Sequence, residues 1–403
     1  MVKVDKICRM MSFPLAVIAL AACEIVDDDM DRHVSDSMYV SLDDVAKVLS
    51  HAPIGKEHIL EVKAAVSSSS GNGYDEEYTV SDMFTCPGAG VGDDIAVRGM
   101  GDARTYTYPL SRLIEDYVRS SPLVRSSDGI GDPEKWLAAV RTSDMQIYWP
   151  FSENWDGSTF PVITFDPEDG SEVNVGYRIV EEDGSRHIEE IVVDEAFAEK
   201  NPVWVVNRNS DAGFMTLDML KKEHPDWGNG GGSITVTPKS VSGGGKILML
   251  KDFTARRHYD SWFAGASEFF VKIGYLEDFT ASTEAELKIY NPKITDFMIV
   301  VRRKQKDVTL SYNMILLTEW SENMESCAFM VTEDDGGTRT DWSCKAKVFV
   351  AGKSYGVEMS LPFNSRDDIV WRGLLGMDMI EDYSGQKCRF GDIELTFEVV
   401  TLP

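Results

Sequence analysis

From residue 246 to the C-terminus the chain alternates apolar and polar residues in short runs broken by turn residues. A period of two sends successive side chains to opposite faces of a strand, so each run can bury one face and wet the other. Such runs fall at 269–274, 285–290, 297–302, 313–319, 327–333, 338–350, 355–361 and 393–400. Their spacing predicts an antiparallel β-sandwich of about eight or nine strands over 246–403. The stretch before it, 228–245, carries Gly228 and glycine runs at 230–232 and 243–245. Clustered glycines punctuate rather than continue structure, so this stretch is the expected linker.

Upstream the period changes. Residues 41–131 read as mainly helical. Ser41 and Asp44 form a capping box before Val45, Val48 and Leu49. A second helix spans 56–67, and a third begins near Pro109 with Leu110, Leu113, Ile114 and Tyr117 on one face. Residues 132–227 read as an α+β unit. Asp132-Pro133 opens a helix lined by Trp136, Leu137 and Val140. Strands follow at 145–149, 159–165, 173–181, 186–193 and 203–207, then a short helix at 217–222. Asp183-Gly184 is a two-residue hairpin signal. Its register sets Glu181 opposite Arg186, Ile179 opposite Ile188 and Arg178 opposite Glu189, so opposite charges and like apolar residues meet. The expected fold class is therefore α+β and multidomain: a helical N-terminal region, a mixed α/β middle region and a C-terminal antiparallel β-sandwich.

Charge narrows the partners. The 403 residues carry a formal net charge of −27. Nucleic-acid binding needs a basic footprint, so no nucleic-acid partner is expected. Anionic lipid surfaces would repel the body for the same reason. Any membrane contact must come from elsewhere in the chain.

The N-terminus supplies it. Lys3, Lys6 and Arg9 precede an apolar run, 10–22, interrupted by Ser12 and Pro14. The run is shorter than the ~20 residues a membrane-crossing helix needs and has the shape of a signal peptide. It ends in Leu20-Ala21-Ala22-Cys23. This motif resembles the lipobox of bacterial lipoproteins. The resemblance implies removal of residues 1–22, acylation of Cys23 and a lipid anchor. Asp27, Asp28, Asp29 and Asp31 then lie in an acidic tether, 23–40. An acidic run so placed is similar to the export signal of Bacteroides-type surface lipoproteins. That resemblance implies the outer membrane, facing the cell exterior. A second account of the run is a spacer extended by its own charge.

Catalytic motifs are sparse. Gly88-Ala89-Gly90-Val91-Gly92 fits neither a P-loop nor a dinucleotide fingerprint. Gly265-Ala266-Ser267-Glu268 fails the nucleophile-elbow pattern at its last position. His187-Ile188-Glu189-Glu190 lacks a second histidine and lies in an expected strand. Trp149 and Trp155 crowd one expected loop, where exposed indoles would make a platform for sugar rings; burial at a domain edge is the plainer account. No motif calls for a cofactor, with calcium held open. Residues 152–157 partly follow the EF-hand cadence, but its final acidic position falls on Ile163. Glu333, Asp334 and Asp335, with Asp367 and Asp368, form two acidic loop tips of the expected sandwich, a pattern similar to C2-like calcium sites.

The cysteines add a geometric expectation. Asp335-Gly336 is a type I′ turn pair. Pairing outward from it sets Cys327 opposite Cys344 in a non-hydrogen-bonded pair, with Cα atoms about 4.5 Å apart. That separation suits a disulfide. Two facing free thiols are the alternative. The same register puts Phe329 across from Trp342. Partners for Cys86 and Cys388 stay open.

These features point to a surface-anchored lipoprotein with a binding or scaffolding role toward a glycan or a protein. The alternative is a surface glycan hydrolase whose carboxylates the sequence does not single out. If the acidic run directs export, replacing Asp27, Asp28, Asp29 and Asp31 by alanine protects the protein from protease added to intact cells and leaves fatty-acid labelling unchanged. Unchanged digestion would make the run a spacer.

Overall fold

The computed structural model describes residues 38–84, 93–95, 104–121, 131–209, 214, 216, 218–219, 246–276, 279, 281–320 and 322–401. The lipobox with Cys23, the acidic run, Cys86, the glycine loop 88–92, the linker 228–245 and most of 217–222 lie outside the described residues.

Ser41 starts the first helix, Leu42–His51, as its sequence predicts. Its hydroxyl accepts from the Asp44 amide, and the Asp44 carboxylate accepts from the Ser41 amide. Asp132 caps Pro133–Arg141 through the amides of Glu134 and Lys135. Such caps are worth about 1 kcal/mol each, because they satisfy amides a helix end leaves bare. Leu110–Ser120 is started differently. Its cap residue Pro109 has no side chain to offer. Glu61, from the long helix Lys56–Gly71, accepts from the Leu110 amide at 2.8 Å and from the Tyr78 hydroxyl at 3.1 Å.

These helices lie on one sheet. Its strands are β1 (Glu77–Thr79), β4 (Met145–Tyr148), β5 (Val162–Phe165), β6 (Val173–Glu182), β7 (Ser185–Asp194) and β8 (Val203–Arg208); β2 (Asp93–Ile95) and β3 (Arg104–Tyr106) form a separate ribbon. The order is β1-β4-β8-β5-β6-β7, antiparallel except for the parallel β5–β8 pair. β1 pairs with β4, so strands from the first and second regions join in one sheet. The β6–β7 hairpin adopts the register its turn dictates, including Glu181 with Arg186 and Ile179 with Ile188. Asp183 and Gly184 both take the positive φ that a type I′ turn demands.

Alternation splits the sheet into two apolar faces. Ile147, Trp149, Trp204 and Val206 face the helices. Tyr148, Val162, Val203 and Val205 face the other way. That second face is covered by Trp262 and Phe263, carried in the loop after β9 (Lys246–Ala255). Trp262 is fully buried, and its indole N–H donates to the Glu172 carbonyl at 3.0 Å. Asn207 donates to the carbonyls of Phe263 and Ala264, and Asp75 accepts from the Ala266 amide. Gly265 is required between them. Its φ is +129°, and a Cβ there would sit 2.9 Å from the Asp75 carboxylate.

The remaining strands are β10 (Ser267–Leu276), β11 (Pro292–Val301), β12 (Leu310–Trp320), β13 (Ser326–Glu333), β14 (Arg339–Val350), β15 (Lys353–Asn364), β16 (Asp368–Gly376), β17 (Lys387–Phe390) and β18 (Ile393–Thr401). They form two four-stranded antiparallel sheets, β11-β10-β13-β16 and β12-β9-β18-β17, and a ribbon, β14-β15. Phe253 of β9 meets Phe269 of β10, and Phe329 of β13 meets Phe390 and Phe397, so the two four-stranded sheets share one apolar core. The ribbon lies on the far side of β10, where Leu361 and Met359 close over Gly274.

Four expectations are corrected here. Asp335-Gly336 makes no hairpin. Both edges of β13 are taken, by β10 and β16, and β14 turns instead at Ala351-Gly352 into β15. Cys327 therefore pairs with Leu375, Cys344 pairs with Met359, and both thiols are free, so the Cys327–Cys344 disulfide is not formed. Phe329 packs on Trp371 rather than Trp342. Residues 286–289 form a 3₁₀ turn rather than a strand, closed by the Glu286 carboxylate accepting from Ser282. Strands β9, β16 and β17 have no counterpart among the runs expected from sequence. Among the described residues no helix is long and apolar enough to cross a membrane.

Two tests follow from this packing. Trp262→Ala should cost about 3–5 kcal/mol, since it empties a fully buried site on the second sheet face; chemical denaturation measures it. The second concerns pH. Burial pushes the Glu61 carboxyl from the ordinary 4.5 up to about 7, with the Leu110 amide and the Tyr78 hydroxyl opposing. The folded chain thus holds this proton more tightly than the unfolded chain. The resulting stability is fully present below the ordinary carboxyl range and is lost as pH rises through about 7. Glu61→Gln should remove that part of the pH slope, at most about 3 kcal/mol. Denaturation midpoints across that range check it, and an unchanged slope would refute it.

Candidate functional site

At one end of the two four-stranded sheets, carboxylates converge from two separate stretches. Glu333 is the last residue of β13, a central strand paired with Phe269 on one side and Asp368 on the other. Strand alternation puts it on the same face as Phe329 and Val331, which is the face between the sheets. It is completely buried. Asp260 comes from the loop that carries Trp262, and its carbonyl accepts from the Arg303 guanidinium at 2.8 Å. Asp335 lies just beyond β13, at the exposed rim. One carboxylate oxygen from each of Asp260, Glu333 and Asp335 lies within 4.8 Å of the others.

The neighbouring acids build the loops. Asp334 accepts from the Gly336 amide and the Asn364 side chain, while its own amide donates to the Glu268 carbonyl. Asp367 accepts from the amides of Asn364 and Asp335. Asp368 opens β16 at the surface. The five acids expected from sequence are thus gathered at one end, but they divide by role. Glu333 and Asp335 face the cluster centre, Asp334 and Asp367 hold the turns, and Asp368 contributes backbone pairing. Asp260 was not foreseen. Its loop becomes visible only once 246–255 is recognised as a strand, and the run Ile247–Leu250 does not alternate because both its faces are buried.

The electrostatics follow from crowding. Burial pushes the Asp335 carboxyl up to about 6, and Asp260, Asp368, Asp367 and Asp334 add to the shift. Burial, then the facing Asp260, drive Glu333 far above the carboxylate range. Asp260 is raised by burial, with the Arg303 charge opposing.

Of the two accounts of Trp149 and Trp155, burial is the one the structure shows. Trp149 is fully buried, with its ring edge-on to Trp155 at 5.6 Å and to Trp204 at 5.8 Å. Trp155 is half-buried, and its indole N–H donates to the Thr159 carbonyl. The structure brings the two indoles together, but as core, so Trp149 offers no face to a sugar. In the 152–157 segment, Ser152–Asn154 form a 3₁₀ turn, and Asp156 accepts from Ser158 and Thr159. Nor does the acidic cluster suit glycoside hydrolysis. Paired glycosidase carboxyls flank an open cleft about 5 Å or more apart, whereas Glu333 has no exposed surface to offer a sugar ring. A water-sized polar cavity of about 50 Å³ lies elsewhere, between Ser70, Asp218, Arg302 and Tyr312.

No protein-family model and no curated protein sequence matches the chain.

Proposed function

We propose that this is a lipid-anchored protein of the bacterial cell surface, with a non-enzymatic binding or scaffolding role toward a glycan or a protein. The observation that carries this reading is Leu20-Ala21-Ala22-Cys23 at the end of a basic-then-apolar leader. Two or three acyl chains on one cysteine give stable anchoring, where a single chain is marginal. The acidic run that follows supports placement on the outer face of the outer membrane. The charge of −27 supports an anchor made of lipid rather than of basic side chains. The body then divides into two units: a helix-on-sheet unit of about the first half and a C-terminal β-sandwich, with the β14–β15 ribbon as a third layer. Their shared interface, seated on Trp262 and Phe263, favours a rigid display platform over two independently moving modules. A glycan partner draws no support from Trp149, which is buried.

Metabolic labelling with a fatty acid tests the anchor. The expected outcome is label on the wild-type chain and none on Cys23→Ala, which leaves the membrane fraction or keeps its leader. Label that persists on Cys23→Ala would overturn the reading.

A further inference from the structure

We propose that Asp260, Glu333 and Asp335 bind a hard divalent cation, calcium in particular, at the end of the two C-terminal sheets.

The first ground is geometry. Two sequence-distant stretches, one carrying Asp260 and one carrying Glu333 and Asp335, place carboxylate oxygens within 4.8 Å of one another, close enough to share one ion. The second is an unmet demand. Glu333 is fully buried, and neither of its carboxylate oxygens meets a hydrogen-bond donor among the described residues; the same holds for one oxygen of Asp260. Buried polar atoms are nearly always partnered, and a native exception calls for a water, an ion or a functional role. The nearby cation does not fill the gap. Arg303 directs its N–H groups to the carbonyls of Gly265 and Asp260.

The donor set selects the ion. All three side chains offer carboxylate oxygen, with no thiolate or imidazole among them, which suits hard cations rather than zinc or copper. Calcium takes six to eight oxygens and tolerates irregular, bidentate carboxylates, while magnesium demands a near-ideal octahedron. Asp335 sits at the exposed rim, so water can complete the shell from that side. The frame is also set in advance. Asp334 and Asp367 hold the flanking turns through backbone amides, and Arg303 fixes the Asp260 backbone.

The ion would have a defined mechanical effect. It would tie the segment carrying Trp262 and Phe263 to the end of β13, and so stiffen the joint between the two halves of the chain. None of this depends on where the protein is anchored.

The test uses the purified chain stripped with a chelator, then titrated with calcium chloride by calorimetry and by thermal unfolding. The expected result is one saturable site, with affinity on the order of 10⁻⁴–10⁻³ M or tighter, and a melting temperature that rises with calcium. Glu333→Gln and Asp335→Asn should each weaken binding by about tenfold or more, since affinity follows ligand charge. Asp341→Asn, on the exposed face of β14, should leave it unchanged. Asp335 lies at the surface, so Asp335→Asn decides the matter if Glu333→Gln fails to fold. Two results would overturn the proposal: no saturable binding with calcium raised well into the millimolar range, or equal binding in wild type and Asp335→Asn. Either would mean that these three carboxylates do not share an ion.

Discussion

The architecture depends on covering the second face of the six-stranded sheet. Its central strands β4 and β8 are apolar on both sides, so the helices can satisfy only half of the demand. Trp262 and Phe263 supply the other half from a loop of the C-terminal part. Their rings lie 3.9 Å apart, centroid to centroid, and enter as a single plug. The polar contacts around them, from Asn207, Asp75 and Gly265, fix the backbone that delivers the plug. Ion pairs add to the rim, with Lys304 reaching Glu76 and Glu153 across the joint. The Lys304–Glu153 pair is exposed and contributes little, whereas Glu76 is buried and takes its counter-charge from Lys304.

The same loop determines the candidate site. Asp260 precedes Trp262 by two residues, so seating the indole also fixes where the carboxylate goes. Glu333 is brought to the same place by a different rule, the alternation of β13. A buried acid at the end of a central strand is costly unless something answers it. The site is therefore a consequence of the joint between the halves, and changes at the plug should be felt at the carboxylates.

How much of this was legible in the sequence varied with the range of the deciding interaction. Local signals read true. Ser41 with Asp44, Asp132 with Pro133, and the register across Asp183-Gly184 each depend on residues within a few positions of one another. Non-local competition was not legible. Asp335-Gly336 has strong turn chemistry, yet β13 finds better partners in β10 and β16, and β14 turns at Ala351-Gly352, in the break between the expected runs 338–350 and 355–361. With that pairing gone, the expected Cys327–Cys344 bond went too. Strand β9 was missed because a strand buried on both faces loses its alternation. Trp149, for which burial was the plainer account, lies beside a loop in the sequence, and the helices close over it. The acid-rich tips at 333–335 and 367–368 were visible because charge density survives any error of pairing, whereas their third partner, Asp260, was hidden by the missing strand.

Buried acids in this chain can be sorted by what answers their charge, and the sorting separates frame from site. Glu61 accepts from a helix-start amide and a tyrosine hydroxyl, so it works as a cap borrowed from another helix. Asp75 accepts from the Glu76 and Ala266 amides and works as a clasp between the halves. Asp334 and Asp367 close turns through the amides of Gly336 and Asn364. In each case the donor is a backbone amide or a neutral side chain, fixed by the fold. Glu333 and Asp260 differ, since each faces the other's like charge. Two such groups are stable together only with a cation or a proton between them. Backbone donors make an acid structural; a facing acid makes it dependent on something the solvent must provide. That dependence is what lets conditions outside the molecule act on the joint within it.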